Sequence, residues 1–201
     1  MTEDARKAWA RDVQQRHNQI MQRAQMATKQ VERALAGDEN AGIDFLSELT
    51  AKNWQKKHAK HMPTARHYAL KSKDRSTKVG CILVSPNGSH VAQGYNGFHR
   101  GADDMREQWH ERPLKYKVTL HAEDNVISNA ARNGVSTEGT TAYVWIESSP
   151  KSKWTHGICS VCASRLVNAG IVRVVVNGEC DELSAQIFAT AGVEVVRWEE
   201  G

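Results

Sequence analysis

Two short segments, His121-Ala122-Glu123 and Cys159-Ser160-Val161-Cys162, constrain this chain more than any other feature. One imidazole and two thiols are borderline-to-soft donors, the set that suits Zn²⁺ in a tetrahedral shell. Cys159 and Cys162 stand three residues apart, so at a helix start both sulfurs point to one side, one turn apart. The unpaired N–H groups of such a start lower thiol pKa and favour thiolate ligation. Three protein ligands leave a fourth corner for water, which is the catalytic arrangement. Glu123, two residues past His121, can reach that water without being a ligand and can take and return its proton. A structural zinc closed by a fourth donor from Cys81, Cys180, His156 or His110 is the alternative left open by spacing alone.

Composition sets the frame around this pair of segments. At 201 residues, 40% hydrophobic and 25% charged, the chain suits one globular domain with an appendage. Four cysteines, two of them in a metal-type pair, point to a reducing compartment rather than a disulfide framework. No apolar run approaches the ~18 residues of a membrane span, and Met1 to Ala10 carries no signal-peptide core. The expectation is a cytoplasmic protein without a membrane partner. A formal net charge of +4 fits an anionic substrate but does not demand one.

Read in order, residues 1–36 form an amphipathic helix, with Trp9, Val13, Ile20, Ala24, Ala27, Val31 and Leu35 at three-to-four spacing. Its narrow, Ala-rich stripe favours docking or oligomerisation over a core of its own. A second helix is expected from Asp44 to about Lys60, ending in the most basic run of the chain, and a further one from Pro63 through Lys71. The pattern then turns α/β. Val79–Val84 and His90–Tyr95 read as strands around a Pro86-Asn87-Gly88 turn. After a polar loop comes a helix from about Leu120 to Asn133, then a strand over Thr141–Ile146. A helix from Cys159 to Gly170, a strand over 171–177, a helix over 183–191 and a strand over 193–198 complete the chain. This order implies a sheet that is mostly parallel after the initial hairpin, with helices on both faces.

Several strings converge on one family. Lys73-Asp74-Arg75-Ser76-Thr77-Lys78-Val79-Gly80, Gly94-Tyr95-Asn96-Gly97-Phe98-His99-Arg100-Gly101, and Lys115-Tyr116 followed by four residues and then His121-Ala122-Glu123 resemble segments of the deoxycytidylate (dCMP) deaminases. His-x-Glu with Cys-x-x-Cys alone marks the wider group of zinc-dependent nucleobase deaminases. The likeness covers about residues 63–198 and implies a cytidine-deaminase-like three-layer α/β/α sandwich with a mixed five-stranded sheet. An N-terminal helical extension, 1–62, precedes the catalytic domain, 63–201. The resemblance further implies Zn²⁺ held by His121, Cys159 and Cys162, with hydrolytic attack at C4 of cytosine and Glu123 carrying protons to N3 and the departing amine. Backbone near Ala122 would hold the pyrimidine edge and Asn96 the deoxyribose hydroxyl. Arg75, Lys78 and Arg100 are the candidates for the 5′-phosphate.

Four departures from the family pattern put the substrate, not the chemistry, in question. Ile158 stands where a Pro usually precedes the first cysteine, and His99 replaces another Pro. An insertion from Ser148 to Gly157 is either a lid whose Trp154 stacks on the base or a surface loop. The helical extension is the fourth departure.

The leading expectation is deamination of dCMP, or a 5-substituted dCMP, to dUMP plus ammonia, supplying dTMP synthesis. Control by dCTP and dTTP and a homo-oligomer are implied by the family. Two other classes compete, a polynucleotide-acting deaminase and a non-catalytic zinc module. Nucleic acid is not the expected partner, because no basic strand face interleaved with aromatics is present for stacking.

Overall fold

The computed structural model describes residues 58–148 and 157–199 together with single positions between Glu3 and Ala36. The chain divides into two compact units, Met1–His58 and Ala59–Gly201. In the first, the described positions from Glu3 to Arg33 are helical, as the spacing predicts, with an exposed Lys7–Glu3 pair at 2.7 Å along one face. Residues 37–57, which hold most of the second expected helix, lie outside the described residues.

The second unit begins with helix α1 (Met62–Ala69), which has Pro63 in its first turn, where a missing N–H costs nothing. Strands β1 (Thr77–Val84) and β2 (His90–Tyr95) follow as a hairpin whose turn is closed by Ser85 N–H donating to Ser89 O at 2.9 Å. Gly88 occupies the turn at φ 88°, a conformation that favours glycine. Two four-residue helices, α2 (Glu107–His110) and α3 (Lys115–Val118), stand in the segment expected to be a plain polar loop. They are too short to leave a periodic trace in sequence. Then come α4 (Ala122–Arg132), β3 (Thr141–Ser148), α5 (Ser160–Asn168), β4 (Arg173–Val176), α6 (Glu182–Thr190) and β5 (Glu194–Arg197). Each expected helix and strand of this unit is present, with ends shifted by about two residues.

The sheet order is β2-β1-β3-β4-β5. Strands β3, β4 and β5 are mutually parallel, whereas β1 runs antiparallel to both β2 and β3. The chain leaving β2 therefore crosses over β1 through α4 before β3 joins the sheet on its other side. Alternation along the strands sorts two faces. Cys81, Leu83, Ala142, Val144, Val174 and Val176 pack with Val126 of α4, Leu166 of α5 and Phe188 of α6 in one buried cluster. Gly80, Ile82 and Tyr143 point the other way, toward α1. Each fully buried aliphatic side chain contributes roughly 1.5–3 kcal/mol. Among the described residues no helix is long and apolar enough to cross a membrane.

Two glycines set how closely the helical layers approach the sheet. A Cβ on Gly80 would lie 2.2 Å from Ala65 O and 2.4 Å from Ala69 N of α1. On Gly94 it would lie 2.6 Å from Val126 N and 2.9 Å from Ala122 O of α4. These are backbone atoms, which cannot rotate away. Gly97, by contrast, faces open space. Gly80→Ala and Gly94→Ala are each expected to cost about 3 kcal/mol, a drop of roughly 6–12 °C in melting temperature, with Gly97→Ala neutral. Because Gly94 seats the helix that follows His121, only Gly94→Ala should also weaken zinc retention. Equal zinc content in the Gly80 and Gly94 variants would count against that seating role.

Candidate active site

His121 and Cys159 occupy equivalent positions in two different helices. Each is the residue before the first helical turn, in extended conformation (φ −75°, ψ 160° and φ −80°, ψ 158°), and neither side chain caps its own helix. Both side chains are thus free to face a common point in front of the starts of α4 and α5. His121 Nδ1 lies 3.2 Å from Cys162 Sγ and 3.6 Å from Cys159 Sγ. One ligand atom from each of the three residues falls within 4.8 Å of the others, and among the described residues no other group of three potential metal donors is gathered this way. The donor set fits Zn²⁺ by chemistry as well as spacing, with two soft sulfurs, one imidazole nitrogen and two helix starts directed at the same point.

Of the suggested fourth donors, Cys81, Cys180 and His110 are not in this group. Cys81 is wholly buried in the core, where burial pushes its thiol well above the usual range. His156 lies outside the described residues.

Electrostatics in the metal-free form follow from burial and from the sharing of one proton. Cys162 donates to Cys159, which with His121 nearby holds the Cys159 thiol down at about 4 despite burial. The Cys162 thiol is raised correspondingly, through that donated bond and through burial. Its thiolate partner Cys159 raises His121 to about 9, against the opposing effect of burial. Glu123, only 2% exposed, is pushed up to about 7 by burial, with the nearby His121 partly offsetting the rise. A carboxyl with a pKa near neutrality can both accept and return a proton at working pH.

Three further contacts position the donors. Asp124 of α4 pairs with Arg165 of α5, joining the two helices next to the site. Asn125 and Asn129 donate from Nδ2 to Tyr95 O and Gln93 O, both at 2.8 Å, and so fasten α4 to the outer edge of β2. Ile158, in place of the family's Pro, is fully buried, and its carbonyl accepts from Ser184 Oγ at 2.8 Å. The chain entering Cys159 is thereby anchored by burial instead of by ring rigidity. Sequence reasoning missed Asp124, Asn129 and Arg165. The one-turn spacing of Asn125 and Asn129 is visible in sequence, but the partners of these side chains are not.

The remaining expected site residues are dispersed. Ala122 is fully buried in the first turn of α4, beneath Gly94. Asn96 is 6% exposed, and its amide is already engaged: Nδ2 donates to Thr77 O at 2.9 Å and Oδ1 accepts from Val79 N–H at 2.7 Å. Arg75 makes a bidentate pair with Glu107 at 2.7 and 2.8 Å. Lys78 alternates with Val79 and so lies on the α1 face of the sheet, opposite the face that packs on α4. Arg100 lines a polar cleft of about 330 Å³ with Gln93, Asn129, Arg132 and Asn133, at the far end of α4 from His121. None of these three cations is gathered at the His121 group. Trp154 lies outside the described residues.

The family profile described as "Cytidine and deoxycytidylate deaminase zinc-binding region" matches residues 55–177. A protein of Aliivibrio fischeri named "Uncharacterized deaminase in luxG 3'region" is 35% identical over 134 residues, covering 62% of this chain and 81% of the relative. A "Probable deoxycytidylate deaminase" of Caenorhabditis elegans is 32% identical, covering 64% of this chain and 61% of its own length. Among solved structures, the dCMP deaminase of cyanophage S-TIM5 in complex with dCMP and dUMP superposes with a TM-score of 0.55 at 26% identity, over 71% of this chain and 97% of that one.

The protonation pattern gives a direct test of the metal centre. At pH 8 the metal-free site carries protons on His121 and Cys162, and ligation requires both to leave. Zinc uptake should therefore release about two protons per ion, read by calorimetry in buffers of different ionisation enthalpy. Uptake with no proton release would mean that zinc binds elsewhere.

Proposed function

The chain belongs to the cytidine and deoxycytidylate deaminase family, and on that premise we propose that it hydrolyses dCMP to dUMP and ammonia. The observation that carries this reading is the approach of His121 Nδ1 to both sulfurs beside a buried carboxyl poised near neutrality. The cyanophage structure with dCMP and dUMP supports the choice of a free deoxynucleotide.

His121, Cys159 and Cys162 would hold the zinc, which when bound supplies a Lewis-acid centre for activating water. Glu123 takes one proton from the attacking water and delivers it to N3 of the cytosine, then takes the remaining proton of that oxygen and passes it to the exocyclic nitrogen. The C4–oxygen bond forms first as the C4=N3 double bond opens; the C4–nitrogen bond then breaks as C4=O forms, and ammonia leaves. Closure of the sheet and α4 around Glu123 excludes bulk water from its carboxyl, which keeps its pKa matched to this shuttle. Backbone at Ala122 meets the pyrimidine edge. Trp154 remains the proposed stacking partner of the base, and a C5-substituted dCMP the close variant of the substrate; dUMP released here would feed dTMP synthesis.

Two finer readings accompany this one. The chain forms a homo-oligomer, and deoxynucleoside triphosphates control it through the polar cleft at the far end of α4. Arg100 and Arg132 there offer guanidinium groups to phosphate oxygens, with Gln93, Asn129 and Asn133 to read a base or sugar. Arg132→Ala should abolish any dCTP-dependent change in the substrate saturation curve while basal turnover persists. A dCTP response unchanged in Arg132→Ala would remove the cleft from regulation.

The decisive measurement is ammonia release from zinc-loaded protein with cytidine, dCMP, dCTP, 5-methyl-dCMP, 5-hydroxymethyl-dCMP and single-stranded DNA. Preference for dCMP or a C5-substituted dCMP is expected, and Glu123→Ala should lower its turnover by about 10²-fold or more with zinc retained. Turnover confined to single-stranded DNA would move the chain to polynucleotide deamination. Full ammonia release by Glu123→Ala would exclude the carboxyl as proton carrier.

A further inference from the structure

Asp74 and Lys115 lie 41 residues apart, yet their side chains meet at 2.7 Å, at 5% and 13% exposure. The pair is the hub of a buried polar network. Asp74 Oδ1 also accepts from Ser76 N–H at 2.8 Å, Ser76 Oγ at 3.0 Å and Thr77 N–H at 3.1 Å. Lys115 Nζ donates a second bond to Ser76 Oγ at 2.5 Å. Ser72 Oγ accepts from Asp74 N–H and donates to Asn96 O at 2.7 Å. The Asn96 amide in turn grips Thr77 O and Val79 N–H.

These bonds join three pieces of chain, namely the entry to β1, the exit from β2 and the approach to His121. The last two are also tied directly. Gly97 N–H donates to Leu120 O at 3.1 Å and Leu120 N–H to Gly97 O at 2.8 Å, so the residue after Asn96 lies against the residue before His121. Between these two ends the chain carries α2, α3 and the exposed Met105, Leu114 and Tyr116. Within that excursion, the tie from Lys115 to Asp74 fixes α3 to the sheet.

We propose that Asp74 and Lys115 are positioning residues for the deamination site, clamping the 97–120 segment so that the wall beside His121 is formed before substrate arrives. The proposal rests on the dCMP reading above. Lys115 is assigned to the clamp and not to phosphate, because its ammonium is largely covered and engaged by Asp74 and Ser76. Burial alone would raise the Asp74 carboxyl, but the bond from Lys115 and the N–H groups of Ser76 and Thr77 outweigh it and hold the group ionised. An isolated buried charge is costly, so losing either partner destabilises the clamp, whereas removing both charges does not strand one.

That asymmetry separates positioning from simple stability. Lys115→Met, Asp74→Asn and the double variant would be compared with the parent chain, all zinc-loaded. Each single variant should raise KM for dCMP about tenfold, with kcat within about threefold. In the double variant the melting temperature should recover toward the parent while KM stays high. Amide hydrogen exchange at Gly97 and Leu120, which needs no turnover, should quicken about tenfold in all three. A KM that recovers together with the melting temperature, or exchange that does not change, would reduce the pair to a stability element. A parent chain inactive on dCMP, with exchange still quickened in the variants, would keep the clamp and remove the substrate reading.

Discussion

Backbone contact between α4 and β2 at Gly94 determines where His121 stands. No side chain separates the two elements there, so the helix lies as near the strand as main chain allows. Asn125 and Asn129 then fix its rotation by donating to carbonyls on the outer edge of β2. An edge strand with open carbonyls invites pairing with another chain, and these two amides close it at Gln93 and Tyr95. Each such bond is worth only about 1 kcal/mol net. Their larger effect is geometric, because a helix held at two points one turn apart cannot turn its first residue away from α5.

The partner helix is held by a different device. Cys159 follows a residue buried in the core, and Ser184 of α6 fixes the carbonyl just before it. Asp124 and Arg165 span the gap between α4 and α5. With Arg165 half exposed, that pair adds no more than about 1 kcal/mol. Apolar packing of Val126, Ala163 and Leu166 supplies most of the energy and the ion pair supplies register. Two helix starts are thereby presented side by side, and their combined field favours thiolate sulfur where a cation is to be held.

The sequence made the donor set legible because its signal is local. A three-residue spacing of cysteines and a His-x-Glu triplet carry their geometry within a single helical turn. The order of strands and helices was readable for the same reason, since each has its own period and its own stops. The antiparallel junction of β1 with β3 was not, because nothing in a strand names its neighbour. Polar side chains proved hardest. Arg75, Asn96 and Arg100 look alike in sequence, as polar groups in loops near a motif. Their uses depend on partners far along the chain: Glu107 for Arg75, the backbone of β1 for Asn96, and the end of α4 for Arg100.

That distinction explains why strings recognisable in sequence need not touch a ligand. The Lys73–Gly80, Gly94–Gly101 and Lys115–His121 segments are sequence neighbours of nothing in common, yet they converge on one buried network around Asp74 and Asn96. A buried polar network is worth keeping only if every member is satisfied, since a half-satisfied one costs more than an apolar core. Changing any one of Ser72, Asp74, Ser76, Asn96 or Lys115 leaves a buried donor or acceptor without its partner. The strings are therefore constrained as a set by mutual satisfaction. A polar residue in such a string need not contact substrate to be indispensable to the surface that does.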